Sequence, residues 1–162
     1  MPNCVRQRLP GASIFFTLRI ADPGSELLIR DVAALRAAFH RTLAERPCRI
    51  DAIVVLPDHL HAVLTLPPGE VDYTARWRLI KARFSRSQPI LLSRSGDVRR
   101  QGRGIWQRRF RERHLRDRDD YAAHLRYCWQ DPVRHGLAAR AEDWPYSSLH
   151  RDLRSRGRHP LA

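Results

Sequence analysis

Apolar residues recur along this chain with two periods, and the switches between them mark out its elements. After a polar lead-in containing Pro2, Pro10 and Gly11, residues 13–20 carry the β-branched and aromatic content of a strand, Ser13-Ile14-Phe15-Phe16-Thr17-Leu18-Arg19-Ile20. Asp22-Pro23-Gly24 is turn chemistry. Asp31 can then cap a helix whose Val32, Leu35, Phe39 and Leu43 fall at i, i+3, i+7 and i+11, and which should stop before Pro47. Residues 49–56 and 59–66 are two strand-forming runs separated by Pro57-Asp58, which predicts an antiparallel hairpin. Beyond Pro67-Pro68-Gly69, the spacing of Trp77, Ile80 and Phe84 predicts a second amphipathic helix, with Arg76, Lys81 and Arg83 off its apolar stripe.

Residues 85–104 are polar and arginine-rich, with Pro89, Gly96, Gly102 and Gly104, and predict a mobile loop. Residues 105–110 supply another strand. Asp117 and Asp120 then give the N-cap and acidic first turn of a third helix, expected to run to Asp131 and to end at Pro132. The order strand, helix, strand, strand, helix, strand, helix predicts an α+β fold, an antiparallel sheet with helices packed largely on one face. A length of 162 residues suits one domain, read as residues 1–150. Residues 151–162 carry Arg151, Arg154, Arg156 and Arg158 with little apolar content, and are expected to be a basic tail, flexible or ordered by DNA.

Charge narrows the choice of partner. The chain has 30 Lys+Arg against 17 Asp+Glu, a formal net charge of +13, and such an excess favours a polyanion because basic groups displace counterions from phosphates. Cys4, Cys48 and Cys128 are odd in number and far apart, so neither a disulfide framework nor a zinc knuckle is indicated. With no signal-like or membrane-length apolar run, a cytoplasmic protein is expected and a membrane partner is not.

Candidate chemistry lies in two places. On a strand, His59 and His61 share a face about 7 Å apart, close enough for two imidazoles to reach one divalent ion. The dipeptide spacing by itself equally suits ordinary polar residues at a strand start. On the third helix, Asp120, His124, Tyr127 and Asp131 fall along one face, off the apolar stripe. Tyr127 there is either a half-buried tyrosine or a nucleophile, which a nearby cation would assist. Tyr121 falls on the apolar side with Leu125 and Cys128. Asp131 could complete a metal site with the two histidines. Two nitrogens and one carboxylate with open positions suit Mg²⁺ or Mn²⁺, the nitrogens leaning towards Mn²⁺.

Five blocks in order give the chain a family resemblance: Leu56-Pro57-Asp58-His59-Leu60-His61-Ala62-Val63, residues 76–84 from Arg76 to Phe84, Ile105-Trp106-Gln107-Arg108-Arg109-Phe110, Tyr127 with residues 131–137, and Trp144-Pro145-Tyr146-Ser147-Ser148. Together they resemble the REP-associated tyrosine transposases, bacterial relatives of the single-tyrosine HUH transposases of insertion sequences. The resemblance implies a ferredoxin-like sheet bearing the two histidines, with the tyrosine on a helix beside it. It also implies metal-dependent cleavage and rejoining of single-stranded DNA near palindromic hairpins, through a 5′-phosphotyrosine, by a monomer or homodimer. Tyr127 would then be the nucleophile and His59, His61 and Asp131 the metal ligands. Arg76, Arg78, Lys81, Arg83, Arg108, Arg109, Arg151 and Arg154 are the expected DNA contacts. Two positions depart from the family: Asp131 stands where asparagine is usual and Trp129 where histidine is usual. Two rival readings are a catalytically silent hairpin-binding regulator and a His-x-His metallohydrolase using activated water.

Overall fold

The computed structural model describes residues 12–89 and 104–157. Four strands, β1 (Ser13–Arg19), β2 (Arg49–Val55), β3 (His59–Thr65) and β4 (Arg111–His114), form an antiparallel sheet in the order β2-β3-β1-β4. The helices are α1 (Leu27–Arg30), α2 (Val32–Glu45), α3 (Thr74–Ser87), α4 (Arg118–Arg134) and α5 (Leu149–Gly157). The succession β1, α2, β2, β3, α3, β4 with this spatial order is the ferredoxin-like arrangement, α+β as expected. Most of the expected arginine-rich loop, residues 90–103, and the end of the expected tail lie outside the described residues. Among the described residues no helix is long and apolar enough to cross a membrane.

Strand alternation sorts the side chains into two layers. Ile14, Phe16 and Leu18 of β1 and Leu60, Ala62 and Leu64 of β3 are buried against Leu35, Ala38 and Phe39 of α2 and Trp77, Ile80 and Phe84 of α3. Phe16 centres this layer, its ring 5.1 Å from that of Tyr73 and 5.2 Å from that of Trp77. Two long helices thus share one face, but α4 lies on the other. There Tyr121, Leu125, Cys128 and Trp129 pack on Ala52, Val54, Leu56 and Val63. The tryptophan block covers the outer edge of β2, which would otherwise expose unpaired backbone. Val55 N–H donates to the Tyr146 carbonyl (2.9 Å) and Ser148 N–H to that of Ile53 (2.8 Å). The Trp144 indole donates to the Val55 carbonyl (2.9 Å), and the Trp129 indole to Ser148 Oγ (3.1 Å).

Four expectations are corrected. The last strand is Arg111–His114 rather than residues 105–110, where Trp106 makes a single bridge to Ile20 and turns its ring into the core. Helix α4 runs through Pro132 to Arg134, because a proline in the last turn forfeits only one intrahelical N–H. The helix closes at Gly136 (φ 68°), whose N–H donates to the Val133 carbonyl while Leu137 N–H donates to that of Pro132, the paired bonds of a Schellman end. Residues 151–157 are helical, with the Arg151 guanidinium donating to the Ile50 carbonyl (2.7 Å). Arg76, expected on DNA, is 1% exposed. All five of its N–H groups are engaged, by both Glu70 oxygens and by the Arg46, Pro47 and Asp72 carbonyls, so it ties the end of α2 to the start of α3.

Candidate active site

The β3 histidines occupy the face opposite the main core, beneath the C-terminal half of α4. Each ring is fixed through Nδ1: His61 by Thr17 Oγ1 (2.8 Å) on β1, and His59 by Asp58 Oδ1 (2.6 Å) in the hairpin turn. Both Nε2 atoms are thereby aimed at one carboxylate oxygen, Asp131 Oδ2, at 3.2 Å from His59 and 3.1 Å from His61. A third imidazole joins them, His135 Nε2 at 3.5 Å from the same oxygen. One ligand atom from each of His59, Asp131 and His135 lies within 4.8 Å of the others, a grouping able to hold a metal ion. His59, His61 and Asp131 are buried, and His135 is exposed.

Tyr127 stands one helical turn before Asp131, and at 44% exposure it is among the most exposed large apolar side chains described. Its ring packs edge-on against His61 (centroids 5.4 Å apart) and Phe15 (5.6 Å). The Arg134 guanidinium lies over its face, Cζ 3.8 Å from the centroid. Beyond the tyrosine this sheet face carries Arg19 and Thr17 of β1, with Arg111 beside Thr17 on β4, while Phe15 packs against His124 and Tyr127 of α4 and Arg113 pairs with Asp120.

Electrostatics suit ligation. Burial opposes ionisation of Asp131, but hydrogen bonds from His59, His61 and Arg134 outweigh it and hold the carboxyl well below the usual carboxylate range. Burial pushes His61 down, against the pull of Asp131, which favours the neutral imidazole that a metal requires.

No protein-family model matches the chain. A REP-associated tyrosine transposase of Escherichia coli is 36% identical over 156 residues, 96% of this chain and 87% of that relative. The chain belongs to the REP-associated tyrosine transposase family. A Haemophilus influenzae protein provisionally given the same name is 37% identical over 157 residues, covering 96% of this chain and 89% of its own. Among solved structures, a REP-associated tyrosine transposase bound to a REP hairpin superposes with a TM-score of 0.85 at 36% identity, covering 99% of this chain and 89% of the other. This tyrosine transposase is thus an enzyme of a family that acts on DNA, and its α+β sheet is the family's.

The structure brings His59, His61, Asp131 and Tyr127 of the transposase together. The expected DNA contacts are scattered. Arg78, Arg108, Arg109, Arg151 and Arg154 are exposed. Arg83 is occupied by Thr42 Oγ1 (2.8 Å) and Glu45 (2.6 Å), and Lys81 Nζ donates to the Gln107 carbonyl (2.8 Å). Two residues of the site were not foreseen, Arg134 and His135. The signal that could have found them is Gly136-Leu137, which puts the end of α4 beyond Pro132 and so places residues 134 and 135 one turn above Asp131.

Proposed function

We propose that this transposase cuts and rejoins single-stranded DNA at or near palindromic hairpins, forming a transient 5′-phosphotyrosine on Tyr127. The observation that carries the reading is an exposed tyrosine packed against His61, which shares the Asp131 Oδ2 oxygen with His59 and His135. The donor set fits a divalent ion: His59, His61 and Asp131 would hold it, with His135 as a further nitrogen. The three nitrogens favour Mn²⁺ over Mg²⁺. When bound, the ion supplies Lewis-acid stabilisation of the scissile phosphate.

The protein's own groups do the rest. The Tyr127 oxygen, having lost its proton, bonds to phosphorus as the bond from phosphorus to the 3′-oxygen breaks, and that oxygen leaves as a 3′-hydroxyl. Attack by a 3′-hydroxyl on the phosphotyrosine reverses the exchange and frees the phenol. Arg108, Arg109, Arg151 and Arg154, all exposed, hold the DNA backbone. A hairpin partner is supported by the likeness to the hairpin-bound relative. Chromosomal DNA as substrate puts the reaction in the cytoplasm.

The test is intact mass after incubation with a hairpin-bearing single strand and Mn²⁺. A covalent adduct is expected for the native protein and Tyr121→Phe, and none for Tyr127→Phe, which keeps the ring and loses one oxygen. Cleavage without any adduct would point to activated water instead. Binding without cleavage would make the protein a regulator.

A further inference from the structure

Arg134 makes four contacts that no account of ligands and nucleophile requires. It follows Tyr127 by seven residues and Asp131 by three, so one helix face carries all three. Its Nη2 and Nε donate to Asp131 Oδ1 at 2.7 and 3.2 Å, leaving Oδ2 to the imidazoles. The same Nη2 donates to the Tyr127 carbonyl (2.7 Å), and the guanidinium plane covers the tyrosine ring at 3.8 Å.

We propose that Arg134 is a positioning residue that couples the metal-site carboxylate to the nucleophile, restricting Asp131 to one oxygen while holding the Tyr127 ring by stacking. The inference rests on the site as read under the proposed function. An aspartate paired with a guanidinium carries no net charge and presents a single oxygen to the imidazoles. A planar, always-charged group with five donors can do both tasks at once, whereas an ammonium can do only the first.

The two tasks pull measurable quantities in opposite directions. Arg134→Ala frees Oδ1 and removes a cation beside the site, so Mn²⁺ should bind about tenfold more tightly, a charge-assisted bond having been released to the ion. The same change unpins the phenol, so single-turnover cleavage at saturating Mn²⁺ should slow by about tenfold or more, since small misplacements of a reacting group are costly. Arg134→Lys keeps the charge and loses the stack, and should bind Mn²⁺ near the native level yet cleave slowly. In an Asp131→Asn background, Arg134→Ala should tighten Mn²⁺ binding by clearly less than it does in the native background, and the difference isolates the pairwise coupling.

The measurements are calorimetric Mn²⁺ titration and quench-flow cleavage of a hairpin-bearing single strand by the full chain, with circular dichroism melts of each variant. Weaker Mn²⁺ binding by folded Arg134→Ala, or an unchanged cleavage rate, would overturn the proposal. So would a loss of hairpin affinity with a native rate at saturation, which would make Arg134 a phosphate contact. If the native protein binds no Mn²⁺ and forms no adduct, the reading of the site itself fails, and Arg134 with it.

Discussion

The two faces of one sheet are built from alternate residues of the same strands, yet they differ in almost every property. Towards α2 and α3, β1 and β3 present Ile14, Phe16, Leu18, Leu60, Ala62 and Leu64, a dry layer buried beneath the two helices. Towards α4, the intervening residues are Phe15, Thr17, Arg19, His59, His61 and Val63, and α4 lies mainly over β2 and β3, reaching β1 at Phe15 through His124 and Tyr127. One face therefore supplies stability and lets the other hold buried imidazoles, a buried carboxylate and an open basic margin. Period-two alternation makes this division possible, because a polar residue in β3 need not interrupt the apolar layer behind it.

The largest effect should come from the dry face. Trp77 is fully buried, with its ring 5.2 Å from Phe16 and 5.8 Å from Phe39. Trp77→Ala should cost about 3–5 kcal/mol in urea unfolding, the usual range for emptying such a site. Where the variant is still folded, its Mn²⁺ affinity should be native. A variant that kept its stability and lost metal binding would show that the two faces are not independent.

The polar face should answer the other way. Thr17 Oγ1 orients His61, so Thr17→Val, close to isosteric, should lower Mn²⁺ affinity by about 10–100-fold, the common cost of losing a group behind a ligand. Its unfolding free energy should fall by about 1–3 kcal/mol, the cost of leaving the buried His61 Nδ1 without its partner, and less than at Trp77 because no cavity is made. Asp58→Asn tests His59 in the same way. A Thr17→Val variant with native affinity would mean that His61 needs no support from β1.

Most of the sheet and four of the six side chains gathered at the candidate site were legible in the sequence. The hairpin was readable because Pro57-Asp58 punctuates two strand runs, and that placed His59 and His61 on one side. Tyr127 and Asp131 were readable from a helical wheel, and Asp117 does cap α4, its side chain accepting from Asp120 N–H at 2.8 Å. Taking Pro132 as a helix end hid Arg134 and His135, since the last turn tolerates proline. Arg76 was misread because an off-stripe cation usually faces water. Nothing in its spacing announces the two carbonyls at the end of α2, of Arg46 and Pro47, that draw it inward. The strand Arg111–His114, with the sequence Arg-Glu-Arg-His, has poor strand propensity and is held by its pairing with β1. Amphipathicity gave α4 an apolar stripe but not the side of the sheet it would cover.

The smallest expected effect asks which face the DNA follows. Arg111 on β4 is paired across Thr17, itself opposite His61, so Arg111 stands two strand spacings, about 9–10 Å, from the histidine on the side that α4 leaves open. Arg78 is also exposed but lies on α3, behind the sheet. If the strand entering the active site runs over the open margin, Arg111→Gln should reduce the slope of log affinity against log salt by about 0.7, the value for one single-strand phosphate contact. Arg78→Gln should change it less. Both variants should fold natively, because neither position is buried. Equal changes at the two positions would mean that the DNA spans both faces, and the polar face would then be the catalytic surface without being the sole binding one.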